Sequence, residues 1–188
     1  MRWSVLVTLL TCCLVAAGCT TTINGSAVAA GAPSCVGGTV VQPKGAPYCY
    51  LLPAGFVDVT DHVTLQYRSA NPGRYITSVE VAQLDVITVS DYPLRTDSDS
   101  VSMSSLTNQI VAALPDPAAG GLTPGQPTTT TLDGARTVEL TFDQTGEYSS
   151  VLYFAFRGYD EIEVDCQWAA DKAEIDRGCA SVRDTIRF

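Results

Sequence analysis

With 188 residues, a formal charge of −9 and 46% hydrophobic side chains, the chain has enough apolar material for one domain with a proper core, and little basic surface. That acidic balance excludes a phosphate-tracking nucleic-acid surface, and it also repels anionic lipid head groups.

Arg2 is followed by an almost uninterrupted apolar run over residues 3–17. The run falls short of the roughly 20 residues that a spanning helix needs. It fits the apolar centre of a cleavable signal peptide. Ala16, Ala17 and Gly18 then lead directly into Cys19, and this resembles a bacterial lipobox, where small side chains let a peptidase close on the bond before a lipidated cysteine. Ala16 stands where a larger aliphatic is commoner. Cys12 and Cys13 lack small Gly or Ala neighbours on their N-terminal side. Residues 1–18 are therefore expected to be a signal peptide and Cys19 the lipidation site. The expected location is extracytoplasmic, anchored to the cell membrane by the lipid.

Residues 20–34 are small and polar with no apolar period, which predicts a tether reaching about 45 Å when extended. Asn24-Gly25-Ser26 within it matches a glycosylation sequon and reads as a chance match. Residues 19–34 thus form the lipidated cysteine and its tether, and residues 35–188 a single domain.

Four cysteines remain in that domain: Cys35, Cys49, Cys166 and Cys179. Outside the cytoplasm they imply two disulfides, with three connectivities open. Local pairing, Cys35–Cys49 and Cys166–Cys179, is preferred, each bond contributing roughly 3 kcal/mol in the chain-entropy model. Zinc is the alternative, but there is no C-x-x-C pair to match its spacing.

Residues 64–68 predict a short strand, and Asn71-Pro72-Gly73 a turn. Residues 75–81 and 86–89 are rich in β-branched side chains and predict strands. Val101, Leu106, Ile110 and Leu114 then recur at near-helical spacing, with Asp97 or Asp99 to cap the helix and Pro115 to stop it. Residues 116–127, rich in Pro and Gly, predict a loop. Asp133-Gly134 is a strong hairpin dipeptide between strands 128–132 and 135–142. Residues 150–156 suit a central strand. In 161–168, Ile162, Val164, Cys166 and Trp168 alternate onto one inner face. Ile175, Cys179, Val182 and Ile186 make the stripe of a closing helix, with Asp171 and Glu174 spaced as a capping box. Cys166 and Cys179 both face the core, which is the physical reason to pair them. The predicted class is α+β, an antiparallel sheet with helices packed on one face.

Catalytic signatures are sparse. His62 is the sole histidine and no G-x-S-x-G elbow accompanies it, so it reads as a surface or capping residue. Asp97 and Asp99 are a poor match to a calcium loop, because Val101 takes the next ligand position. Glu139, Glu161, Glu163 and Asp165 are expected on the wet side of adjoining strands. Paired carboxylates there would suit a cell-wall hydrolase, although such a row is more often a charged sheet face. No cofactor and no metal is expected. Tyr50, Phe56, Tyr75, Tyr92 and Tyr153 are the aromatics expected to line a ligand groove.

Several segments together carry a family resemblance. Residues 50–56 read Y-L-L-P-A-G-F, and residues 85–89 read D-V-I-T-V. A polar helix, the Gly134 hairpin, Cys166-Gln167-Trp168, and Gly178-Cys179 in the last helix follow in order. Over roughly residues 46–188 this resembles the actinobacterial, mycobacterial-type LpqN-like lipoproteins, which are similar in fold to the PsbP/Mog group. The resemblance implies an extracytoplasmic α+β sandwich with a binding or assembly role and no catalytic residues to carry over. Its implied partners are an envelope protein or an apolar envelope molecule. The long Cys35–Cys49 loop lies outside the family pattern.

Overall fold

Strand-forming runs dominate the chain, and their pairing is antiparallel throughout. The computed structural model describes residues 33–62, 73–114, 122–144 and 148–188, all belonging to one unit, Gly31–Phe188. The expected signal peptide, Cys19, most of the tether, the strand at 64–68 and Pro115 lie outside the described residues.

A small hairpin pairs β1 (Val40–Val41) with β2 (Tyr50–Leu51). The main sheet comprises β3 (Val57–Asp58), β4 (Tyr75–Ala82), β5 (Asp85–Pro93), β6 (Leu122–Pro124), β7 (Thr128–Leu132), β8 (Ala135–Gln144), β9 (Ser149–Arg157) and β10 (Asp160–Trp168). Its order is β3-β4-β5-β10-β9-β8-β6, with β7 pairing the first half of β8. The 116–127 loop expectation is corrected over Leu122–Pro124, because Pro124 sits at an edge opposite Phe142, where a missing N–H is tolerated. Asp133 and Gly134 both adopt positive φ, 47° and 76°, as the tight β7–β8 turn requires.

Among the described residues the α-helices are α1 (Met103–Ala113) and α2 (Lys172–Thr185). The N-cap of α1 is Ser102, whose side chain accepts from the Ser105 N–H at 3.2 Å. Asp97 instead caps a separate 3-10 turn, Ser98–Ser100. For α2 the Asp171 side chain accepts from the Glu174 N–H at 3.0 Å, as the capping-box spacing predicts.

Cross-strand register identifies which residues share a face. Glu139 lies opposite Tyr153, and Tyr153 opposite Val164. Val138 lies opposite Phe154, and Phe154 opposite Glu163. The apolar side of β8 therefore faces the opposite way from the apolar side of β10, and β9 serves both. Two cores result. On one face Ile175, Cys179, Val182 and Ile186 of α2 pack with Val79, Ile87, Val89, Ala155, Ile162 and Val164. On the other, Leu106 and Ile110 of α1 pack with Val138, Leu140, Phe142, Phe154 and Phe156. The α+β class with an antiparallel sheet holds, but the placement of both helices on one face is corrected. A single amphipathic strand cannot signal that its neighbour buries the other side.

Side-chain polar groups tie α2 and the N-terminal hairpin to the sheet. Asp85, 1% exposed, accepts from the backbone N–H groups of Ala169, Ala170 and Asp171 at 2.9–3.1 Å. Burial alone would raise its pKa; these three donors outweigh it and hold the carboxyl below its usual range. Gly178 lets α2 approach closely, since a Cβ there would meet Phe56 at 2.4 Å and Ile87 at 2.9 Å. Cys49 exchanges backbone hydrogen bonds with Arg187 at 3.0 and 2.9 Å, so the hairpin closes against the C-terminal tail.

Candidate functional site

Two disulfides are present. Cys35–Cys49 and Cys166–Cys179 each have Cα atoms 6.0 Å apart. The first joins the approach to β1 to the residue before β2. The second clamps α2 onto β10.

The five aromatics expected to form one groove are dispersed. Tyr50 is fully buried, donating to Thr77 Oγ1 at 3.0 Å and lying stacked with Tyr48. Burial drives both phenols well above their ordinary range. Phe56 is buried against Gly178. Tyr75 packs partly buried against the α2-side core. Tyr92 lies opposite Glu161, on the face away from α2. Tyr153 borders a recess. The strong core signal of β2 and the 50–56 segment explains the difference: an aromatic run beside a disulfide is packing material here.

The four carboxylates also divide. Glu139 shares the α2 face with Tyr153, while Glu161, Glu163 and Asp165 form a row along β10 on the α1 face. That row is half-buried rather than wet, because β10 lies between β5 and β9 at the middle of the sheet. Burial raises Glu161 to about 7 and Asp165 to about 7, the latter opposed by a hydrogen bond from Ser150. Glu163 rises to about 8 through burial and then the charges of Asp165 and Glu161. No ion pair is made by any of the three among the described residues, and Asp165 Oδ1 is buried without a partner. His62 sits exposed on a 3-10 turn, Thr60–His62. Among the described residues no group of three or more His, Cys, Asp or Glu side chains is arranged to hold a metal ion.

A recess of about 210 Å³ lies between α2 and the strands β9 and β10 beneath it, lined by Val151, Tyr153, Trp168, Asp176, Arg183 and the Cys166–Cys179 disulfide, among others. Arg183 lies over the Tyr153 ring, its guanidinium carbon 4.3 Å from the centroid, and donates from Nη1 to the Tyr153 hydroxyl at 3.0 Å. Burial raises the Tyr153 phenol, opposed by the Arg183 charge and reinforced by Glu139 and Asp176. Lys172 lies 4.7 Å from the Trp168 centroid and pairs with Asp176 at 2.7 Å. Asp176 and Arg183 were not singled out by sequence reasoning. Their signal was the 176, 180, 183 spacing, a second stripe bordering the apolar one on α2.

The sequence matches no family model and no curated protein. Among solved structures, the solution structure of cyanobacterial PsbP (CyanoP) from Synechocystis sp. is similar with a TM-score of 0.54 at 13% identity. That match covers 82% of this chain and 96% of the other. A crystal structure from Bacteroides thetaiotaomicron has a TM-score of 0.50 at 11% identity over 81% of this chain, which spans about half, 48%, of its length. At such identities the likeness concerns the fold: the chain is an α+β protein of PsbP-like topology.

Proposed function

We propose that the chain is an exported lipoprotein of the cell envelope, of the actinobacterial LpqN type, held to the membrane through Cys19 and acting by binding rather than catalysis. The observation that carries this reading is the pair of disulfides, since such bonds persist in oxidising compartments. Export is also what the apolar run and lipobox-like residues 16–19 call for. The partner is an envelope protein or an apolar envelope molecule, with no nucleic acid involved at a charge of −9. Two measurements test the reading. Metabolic labelling with a fatty acid should mark the wild type and not Cys19→Ala; equal labelling removes the anchor. Native mass spectrometry of protein drawn from its own envelope should show a bound lipid or protein mass, and a clean unliganded mass counts against the binding role.

One observation favours a second reading. Carboxyls raised to about 7 and 8 at Glu161 and Glu163 have the proton affinity of general acids near neutral pH. A cell-wall hydrolase built on that row would lose its activity in Glu163→Gln, and unchanged or absent wall-degrading activity rules it out.

A further inference from the structure

We propose that the recess between α2 and the strands β9 and β10 binds a single neutral sugar ring. The proposal rests on the non-enzymatic binding reading above and adds to it a polar ligand at a site separate from any protein or apolar partner.

Size sets the first limit. A volume of about 210 Å³ corresponds to roughly seven waters and lies below the range of drug-sized pockets. One six-membered ring fits.

Polarity sets the second. Arg183 is held flat against Tyr153 by its stack and by the hydrogen bond from Nη1. That is the only hydrogen bond its side chain makes among the described residues, no carboxylate lies within ion-pair distance of it, and its Nε is buried without a partner. The guanidinium is thus oriented but uncommitted, a fork of donors held in place. An acceptor stands beside it: Asp176 also lines the recess. Asp176 accepts from Lys172 with both oxygens, yet a carboxylate has about four lone-pair sites and keeps capacity for more. An apolar ligand would strand both groups. An anion would meet Asp176 and a chain of charge −9, whereas a cation would meet Arg183. A neutral polyol satisfies donors and acceptors together.

Trp168 supplies the remaining element. It is half-buried and lines the recess, and the Lys172 ammonium lies over one side of its ring. The rest of the indole is an apolar surface on which the C–H face of a pyranose stacks while the hydroxyls reach Arg183 and Asp176.

The test uses the purified full-length protein with methyl β-D-glucopyranoside and N-acetyl-D-glucosamine as probes, and benzoate as an anionic control. Saturation-transfer NMR and tryptophan fluorescence should show saturable millimolar binding of at least one sugar and none of benzoate. Trp168→Ala should weaken that binding at least tenfold. Asp176→Asn, at an exposed position that leaves the core intact, should weaken it threefold or more. Gln109→Ala, exposed on α1 on the other face, should leave it unchanged. The proposal is overturned if folded wild-type protein binds neither sugar, if Trp168→Ala binds as well as wild type, or if benzoate binds in their place. A null result with sugars alongside a co-purified lipid or protein would remove this site and leave the binding role standing. Cleavage of the glycoside in the same spectra would remove the non-enzymatic reading itself.

Discussion

Glu163 shows how a residue's meaning depends on its neighbours. In sequence it alternates with Ile162 and Val164 and belongs on the wet side of a strand. In the folded chain it faces Phe154 on β9 and Ser90 on β5, and burial lifts its carboxyl to about 8 from an ordinary value of 4.5. The sign of the consequence follows from linkage. The native state binds the proton more tightly than the unfolded chain, so its stability contribution is complete below about pH 4.5 and is lost as pH rises through about 8. Glu163→Gln mimics the protonated form at every pH. It should match wild type near pH 4.5 and exceed it above pH 8 by about 1–3 kcal/mol, read from urea midpoints across that range. A variant less stable than wild type at high pH would contradict the assignment. Gly178 is a second case. A methyl group there collides with Phe56 and Ile87, so Gly178→Ala should destabilise by about 1–3 kcal/mol despite its better helix propensity. Thermal unfolding would show this as a lowered midpoint.

At the scale of elements, α2 was legible and α1 only partly so. The stripe Ile175, Cys179, Val182, Ile186 and the Asp171 cap mark α2 completely, because periodicity and capping are local. For α1 the apolar spacing gave the helix, but the cap went to Ser102 and Asp97 went to the preceding 3-10 turn. Competing cap residues within one short stretch are separated only by where the chain turns to meet Val138 and Phe154. The Cys166–Cys179 bond closes a separation of 13 residues and joins two elements already packed together. Replacing both cysteines by alanine should cost about 3 kcal/mol in the urea midpoint, with the fold retained. Reduction should leave the α1-side packing the less affected, since neither cysteine touches it.

The whole molecule has two cores back to back across one sheet, and this makes a prediction about coupling. Leu106→Ala on α1 and Val182→Ala on α2 lie on opposite faces. Each should destabilise by roughly 2–4 kcal/mol. In the double variant the losses should add to within about 0.5 kcal/mol, because the two sites share no packing partner. Strong non-additivity in a double-mutant cycle of denaturation midpoints would mean that β9, common to both cores, relays strain between them.

The expected aromatic groove is dispersed and the four carboxylates divide between two faces for a shared reason. Each was assembled from residues that are similar in type, and similarity of type carries no information about register. Tyr50 and Tyr92 differ in burial and in face. Glu139 and Glu163 differ in face alone. The recess brings together Trp168 from a strand and Asp176 and Arg183 from a helix, residues of unlike type whose meeting depends on how α2 crosses the sheet. Sequence by itself determined the α+β class, the strands β4, β5 and β7 to β10, the two helices, the hairpin at Asp133-Gly134, the capping of α2 and the preferred pairing of cysteines, since all of these follow from local periodicity, turn chemistry and the direction of side chains on one element. Only the tertiary structure decided that α1 and α2 sit on opposite faces, that the β10 acids are sheltered, and that a polar recess opens beside Trp168. Those outcomes depend on the phase of one strand against the next, and a shift of one residue in a period of two reverses every face.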